Sequence, residues 1–160
     1  GPVNDKSAVI DGFEFAWQHF FGETGFGYQV NYTTVDGDIG FDNGGAIDVD
    51  QFALEGLSDT ANLVLIYEKE GLSTRIAYNW RDEFLSSTNR GKGPRNPVYV
   101  SETEQVDINV SYEVMEDFSM SLDIINLLEE GQRKFGRSKN NVFFVQESDR
   151  RFVLSANYTF

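Results

Sequence analysis

Phe152-Val153-Leu154-Ser155-Ala156-Asn157-Tyr158-Thr159-Phe160 closes the sequence, and its reading decides the fold. In an extended strand successive side chains alternate between faces, so Phe152, Leu154, Ala156, Tyr158 and Phe160 share one side. Val153, Ser155, Asn157 and Thr159 share the other. One face is apolar and carries aromatics to its end, while the other is mostly small and polar. A final strand of a soluble sandwich would turn the apolar face onto a core. A strand whose outer face meets lipid carries the same pattern, because aromatic rings favour the level where hydrocarbon meets headgroups.

The same alternation recurs upstream. Phe13, Phe15, Trp17 and His19 oppose Glu14, Ala16, Gln18 and Phe20, and after a turn at residues 22–25, Phe26, Tyr28, Val30 and Tyr32 oppose Gly27, Gln29 and Asn31. Leu63, Leu65 and Tyr67 precede a turn at residues 69–71, beyond which Ile76, Tyr78 and Trp80 oppose Arg75, Asn79 and Arg81. Val106, Ile108, Val110 and Tyr112 oppose Asp107 and Asn109, and Met120, Leu122 and Ile124 oppose Ser121 and Asp123. Residues 141–146 read as a seventh strand, a turn at 147–150 follows, and the terminal strand is the eighth. The pattern predicts an all-β, antiparallel, up-and-down protein of eight strands in four hairpins.

Two features favour a transmembrane barrel over a sandwich. Short turns at residues 22–25, 69–71, 115–117 and 147–150 alternate with long polar connections at 36–56, 86–99 and 129–140, as in outer-membrane barrels. The polar set Glu14, Gln18, Gln29, Asn31, Arg75, Asn79, Arg81, Asp107 and Asn109 would cost several kcal/mol per unpaired group in a dry core. Facing a hydrated lumen, these groups keep their water. Trp17, Tyr32, Tyr67, Tyr78, Trp80 and Tyr112 are then the aromatics of the membrane interfaces.

Composition removes several alternatives. A net charge of −13 opposes nucleic-acid binding, since phosphates would be repelled. There is no cysteine, hence no disulfide framework or thiol chemistry. Mean hydropathy is −0.38 and no apolar run approaches the length of a membrane helix, which leaves strand-type spans open. The opening Gly1-Pro2-Val3-Asn4-Asp5-Lys6 does not read as a signal peptide, so an exported protein would need a longer precursor.

Candidate chemistry is sparse. Residues 36–45, Asp-Gly-Asp-Ile-Gly-Phe-Asp-Asn-Gly-Gly, are acidic like a calcium loop, but Gly40 and Phe41 occupy the positions where an EF-hand needs an oxygen ligand and Gly. An acidic surface loop is the reading. His19 is the only histidine, which argues against a His-based metal site or a Ser-His-Asp relay. Glu129 and Glu130 are expected in a loop with no pocket to raise a pKa. Arg133, Lys134, Arg137 and Lys139 are expected on a solvated loop, with anionic lipopolysaccharide or substrate as possible contacts. No enzyme and no cofactor are predicted.

Four segments in series carry a family resemblance: Ile10-Asp11-Gly12-Phe13-Glu14-Phe15-Ala16, Gly56-Leu57-Ser58-Asp59-Thr60-Ala61-Asn62-Leu63, Ala77-Tyr78-Asn79-Trp80-Arg81-Asp82-Glu83-Phe84-Leu85 and Ile124-Ile125-Asn126-Leu127-Leu128. With the terminal Phe160 they resemble, in order and spacing, the carboxy-terminal barrel of TonB-dependent outer-membrane receptors. The similarity covers essentially all 160 residues. The resemblance implies a barrel of about 22 strands in the outer membrane of a Gram-negative bacterium, with a lumen filled by an amino-terminal plug. A segment of that plug would engage the inner-membrane energy-coupling protein. The cargo would be a ferric siderophore, cobalamin, haem or an oligosaccharide. Residues 1–160 are expected to form the final third of such a barrel, without plug or coupling segment, and to transport nothing alone. Phe152, Leu154, Ala156, Tyr158 and Phe160 resemble the signal read by the barrel-assembly machinery. The other expected partners are outer-membrane lipid and lipopolysaccharide. The alternative is a self-contained eight-stranded outer-membrane barrel with a structural or adhesive role.

Overall fold

The computed structural model describes residues 7–91 and 96–159. Eleven strands form: β1 (Ile10–Phe20), β2 (Phe26–Gly37), β3 (Thr60–Lys69), β4 (Leu72–Arg81), β5 (Phe84–Ser87), β6 (Val98–Val100), β7 (Thr103–Met115), β8 (Phe118–Ile125), β9 (Gln132–Phe135), β10 (Val142–Gln146) and β11 (Arg151–Tyr158). Every pairing is antiparallel. Seven of the strands make one meandering sheet in the order β1-β2-β3-β4-β7-β8-β11, and four short ones make a second in the order β10-β9-β6-β5. The large sheet is open, with β1 and β11 as its edges. No helix among the described residues is long and apolar enough to cross a membrane.

The second sheet repeats the order of its larger neighbour. β5, β6, β9 and β10 follow or precede β4, β7, β8 and β11 in the chain, and they pair in the same lateral order. Each is therefore the continuation of a long strand beyond a short break. This corrects the expected strand count. Residues 142–146 do form a strand, but β10 pairs with β9 and β11 pairs with β8, so residues 147–150 join two successive strands at the long-connection end and are not a hairpin turn. The reversal lies at residues 136–141, where the Gly136 amide donates to the Asn141 carbonyl at 2.8 Å. Seven long strands replace the expected eight.

The short turns are well determined. At Glu70-Gly71 both residues have positive φ (53° and 78°), the requirement of a two-residue type I′ hairpin. Gly27 faces Phe20 across β1 and β2, and the Phe20 ring lies where a Cβ at position 27 would sit. That explains a phenylalanine on an otherwise polar face: the ring covers a glycine hole.

Strand ends are staggered in one sense. Thr33 pairs with Thr60, so residues 34–37 of β2 run past β3; Ile108 pairs with Ile124, so residues 103–106 of β7 run past β8. At the other end Phe26 pairs with Tyr67 and Leu72 with Tyr112, so residues 68–69 and 113–115 overshoot. A cumulative shift of this kind is the strand tilt that a barrel wall requires.

Well-buried apolar side chains are few. Ala53, Leu85, Val100 and Phe135 are buried, with Pro97 fully so, and all lie at the long-connection end. Within the large sheet only Val64 joins them. The extension sheet and residues 38–59 thus pack into a small loop core, while the large sheet carries none of its own.

Candidate functional site

The large sheet has two chemically opposite faces, and they are the candidate functional surface. Directly paired residues in antiparallel strands point to the same side. Tracing pairs from strand to strand, His19–Tyr28–Leu65–Ile76–Ile108–Ile124–Phe152 is one continuous row across all seven strands. Phe26–Tyr67–Thr74–Val110–Leu122–Leu154 is the next row on the same face. Among the described residues nothing packs over this face: Phe13 is 63% exposed, Trp17 54% and Leu154 71%. Toward the short turns it carries a recess of about 700 Å³ lined by Phe26, Tyr28, Leu65, Tyr67 and Ile76.

Rows on the opposite face are polar. Asn31–Asn62–Asn79–Gln105 crosses four strands, as does Ser73–Ser111–Ser121–Ser155, and Arg75–Asn109–Asp123 crosses three. Single serines in the sequence are unexceptional, and pairing alone aligns them into a row. Asn62 Nδ2 donates to Asn79 Oδ1 at 2.8 Å, and Asn109 Nδ2 donates to Asp123 Oδ1 at 2.6 Å. Ile66, Ile125 and Val153 are apolar exceptions, along with Val64.

All of the expected polar residues lie on this second face: Glu14 opposite Thr33, Gln18 opposite Gln29, Asn31 beside Asn62, Arg75 opposite Asn109, Asn79 opposite Gln105, Arg81 opposite Thr103 and Asp107 opposite Ala77. All of the expected interfacial aromatics lie on the first. Tyr32 and Trp80 share a row toward the long connections, Trp17 and Tyr78 share the next row inward, and Tyr67 and Tyr112 stand toward the short turns. Two of these rings tie their polar atoms to carboxylates at the rim: the Tyr32 hydroxyl lies 3.2 Å from Asp59 Oδ2 and Trp80 Nε1 donates to Glu102 Oε1 at 2.6 Å. Phe152, Leu154, Ala156 and Tyr158 share the apolar side of β11, opposite Ile124, Leu122, Met120 and Phe118. Phe160 lies outside the described residues.

Two of the four segments that carry the resemblance bind each other, and the fourth ends β8. Asp59 Oδ1 accepts from the Val35 amide at 3.0 Å, and that hydrogen bond holds the Asp59 carboxyl below its ordinary value. Ser58 Oγ donates to the Asp82 carbonyl at 2.7 Å and Arg81 donates to the Gly56 carbonyl at 3.2 Å, so the segments at 56–63 and 77–85 bind each other. Asn126 sits at φ 57°, a left-handed conformation that Asn tolerates, and ends β8 there. Its amide donates to the Glu130 and Ser148 carbonyls at 3.0 and 3.2 Å, its carbonyl oxygen accepts from the Glu130 amide at 2.9 Å, and its backbone amide donates to Asp107 Oδ1 at 2.8 Å.

The basic cluster of the third connection is occupied within the fold. Arg137 donates to the carbonyls of Asn43, Gly45 and Ala46 and lies over Phe41, pinning the acidic connection 38–59 against the extension sheet. Arg133 donates to the Lys139 carbonyl, Lys134 lies over Phe144, and Lys139 pairs with Glu83 at 3.0 Å. Among the described residues no group of three or more His, Asp or Glu side chains converges to hold a metal. In the acidic connection Asp42 is used locally, accepting from the Gly44 amide at 2.8 Å.

One expectation fails here. Glu130 lines a recess of about 470 Å³ on the polar face, and burial pushes its carboxyl up, helped by the Glu104 and Glu102 charges. No periodicity or motif marks this placement, because it follows from the Asn126 hydrogen bonds that hold the link from β8 to β9 against the sheet.

No family model matches the chain, and no curated protein and no solved structure matches it.

Proposed function

We propose that the chain is the carboxy-terminal part of the barrel wall of a TonB-dependent outer-membrane receptor, which takes up a scarce nutrient by energy-coupled transport. The observation that carries this reading is the exposed apolar face spanning seven strands, backed by a face that is polar apart from a few apolar side chains. In water such a face would drive aggregation; against acyl chains it is at equilibrium with its surroundings. The ten residues of β3 extend about 33 Å, and tilted by about 40° they span the roughly 25 Å apolar band of an outer-membrane barrel. Long connections would then face the cell exterior and short turns the periplasm.

A larger barrel is favoured over a self-contained one by strand direction. β1 and β11 both run from the long-connection end to the short-turn end, so joining them would create a parallel pair in an otherwise antiparallel sheet. Lipid cannot satisfy their free backbone groups, so further strands must. The experiment is refolding the 160-residue chain in detergent. We expect no closed, heat-modifiable monomer from it alone, and in cells we expect uptake that stops when the energy-coupling protein is removed. A compact heat-modifiable barrel from these residues alone would favour the small structural or adhesive barrel instead.

A further inference from the structure

The polar face is not uniform along its length. Where β4 and β7 give way to the extension sheet, the link from β8 to β9 overhangs the sheet and borders an open recess of about 470 Å³, within the range of ligand sites. Asn62, Asn79, Arg81 and Gln105 form its floor, and Glu130 and Gln132 form its overhang.

Its hydrogen-bonding capacity is largely unspent. The Asn62–Asn79 bond uses one amino group and one carbonyl, leaving a carbonyl on Asn62 and an amino group on Asn79. Gln105 gives its amino group to Asp107 at 3.0 and 2.9 Å and keeps its carbonyl. The side chains of Gln132 and Glu130 make no hydrogen bond among the described residues. Arg81 is already held by the Gly56 carbonyl and by the Phe84 ring 3.8 Å away. The overhang is itself fixed by the Asn126 hydrogen bonds, so the recess is built before a ligand arrives.

We infer that this recess binds a neutral, polyhydroxylated ligand of the oligosaccharide class. Planar amides and carboxylates that offer adjacent donors and acceptors match vicinal hydroxyls, which are both donor and acceptor. Arg81 and Glu130 are the charged groups of the lining, and the nearby Glu104 and Glu102 together with the chain charge of −13 repel a polyanion such as a carboxylate-rich metal chelate. The inference rests on the reading of the polar face as a water-filled interior and adds the cargo class to it.

The test is calorimetric titration of the full polypeptide in detergent micelles with maltotriose, cellotriose and chitotriose, and with citrate as the anionic control. Saturable binding of at least one trisaccharide is expected, weakened about tenfold by either Asn79→Ala or Gln132→Ala, each of which removes a hydrogen bond to the ligand. Ser121→Ala, on the same face but outside the recess, should leave it unchanged. No binding by any of the three sugars, equal binding by all variants, or preference for citrate would each overturn the inference. Spin-label accessibility on the same samples reports separately whether the sheet faces lipid and water as proposed, so failure of the site and failure of the barrel reading are told apart.

Discussion

Asn62 and Asn79 face each other across β3 and β4 with Nδ2 and Oδ1 2.8 Å apart, and the next pair along, Leu63 with Tyr78, lies on the reverse side of the same sheet. One residue of register therefore separates a hydrogen-bonded amide pair from an uncovered apolar pair. A slip of one position would turn every such pair over, placing amides on the apolar face and leucine on the polar one. Substitutions on adjacent residues should then differ sharply. Ile108→Arg, at the middle of the apolar face, is expected to cost about 2–4 kcal/mol in a bilayer, while Asn109→Arg should cost little. Urea unfolding from lipid vesicles measures both; equal penalties would contradict the two-faced reading.

Asn126 is the residue on which the strand break depends. Asn126→Ala removes three side-chain hydrogen bonds and leaves a Cβ-bearing residue without them at φ 57°. A loss of about 2–3 kcal/mol is expected. Asn126→Gly relieves the backbone but not the bonds and should recover only a fraction. Amide exchange in residues 126–131 and 147–150 should rise in both variants, and unchanged exchange would show that the break is held by something else.

Asp59 gives a pH signature. Hydrogen bonding from the Val35 amide lowers its carboxyl pKa in the folded state. The ionised form is the one that the fold favours, so its contribution is complete above the ordinary carboxylate value of about 4 and is lost as pH falls through the lower folded value. The stability difference between the native protein and Asp59→Asn should be largest near neutrality and shrink below about pH 4. A difference that does not vary with pH would exclude this role.

Arg137 should control the order of the first long connection. Its bonds to Asn43, Gly45 and Ala46 are charge-assisted, each worth about 1.5–3 kcal/mol. Arg137→Ala is expected to accelerate amide exchange of Gly44 and Gly45 at least about tenfold. Lys139→Ala breaks an ion pair whose lysine is 77% exposed and should not. Similar effects from both would mean that the connection is not pinned by Arg137.

The alternating strands were legible because a two-residue period fixes the face of every side chain, so Leu154, Tyr78 and Asn109 fall where the pattern puts them. The extension sheet was not. Its strands are four to five residues long or shorter, and Gln132-Arg133-Lys134-Phe135 has no alternation to read because it meets loops, not a uniform solvent. Residues 147–150 read as a turn because Glu-Ser-Asp-Arg is turn-like in composition, yet what reverses the chain is the tip at 136–141. The run Ile124-Ile125-Asn126-Leu127-Leu128 looks like a continuing strand, and only the left-handed Asn126 shows why it stops. The recess holding Glu130 depends on that stop and was invisible for the same reason.

The chain has no cysteine, so single nitroxide labels can be placed without background. The most direct measurement is the collision accessibility of labels at each position from 105 to 112 in β7, in lipid vesicles, to oxygen and to a water-soluble nickel chelate. Oxygen contact is expected at 106, 108, 110 and 112, chelate contact at 105, 107, 109 and 111, and strict alternation between them. Loss of the two-residue period, or chelate reaching Ile108 while oxygen favours Asn109, would contradict it.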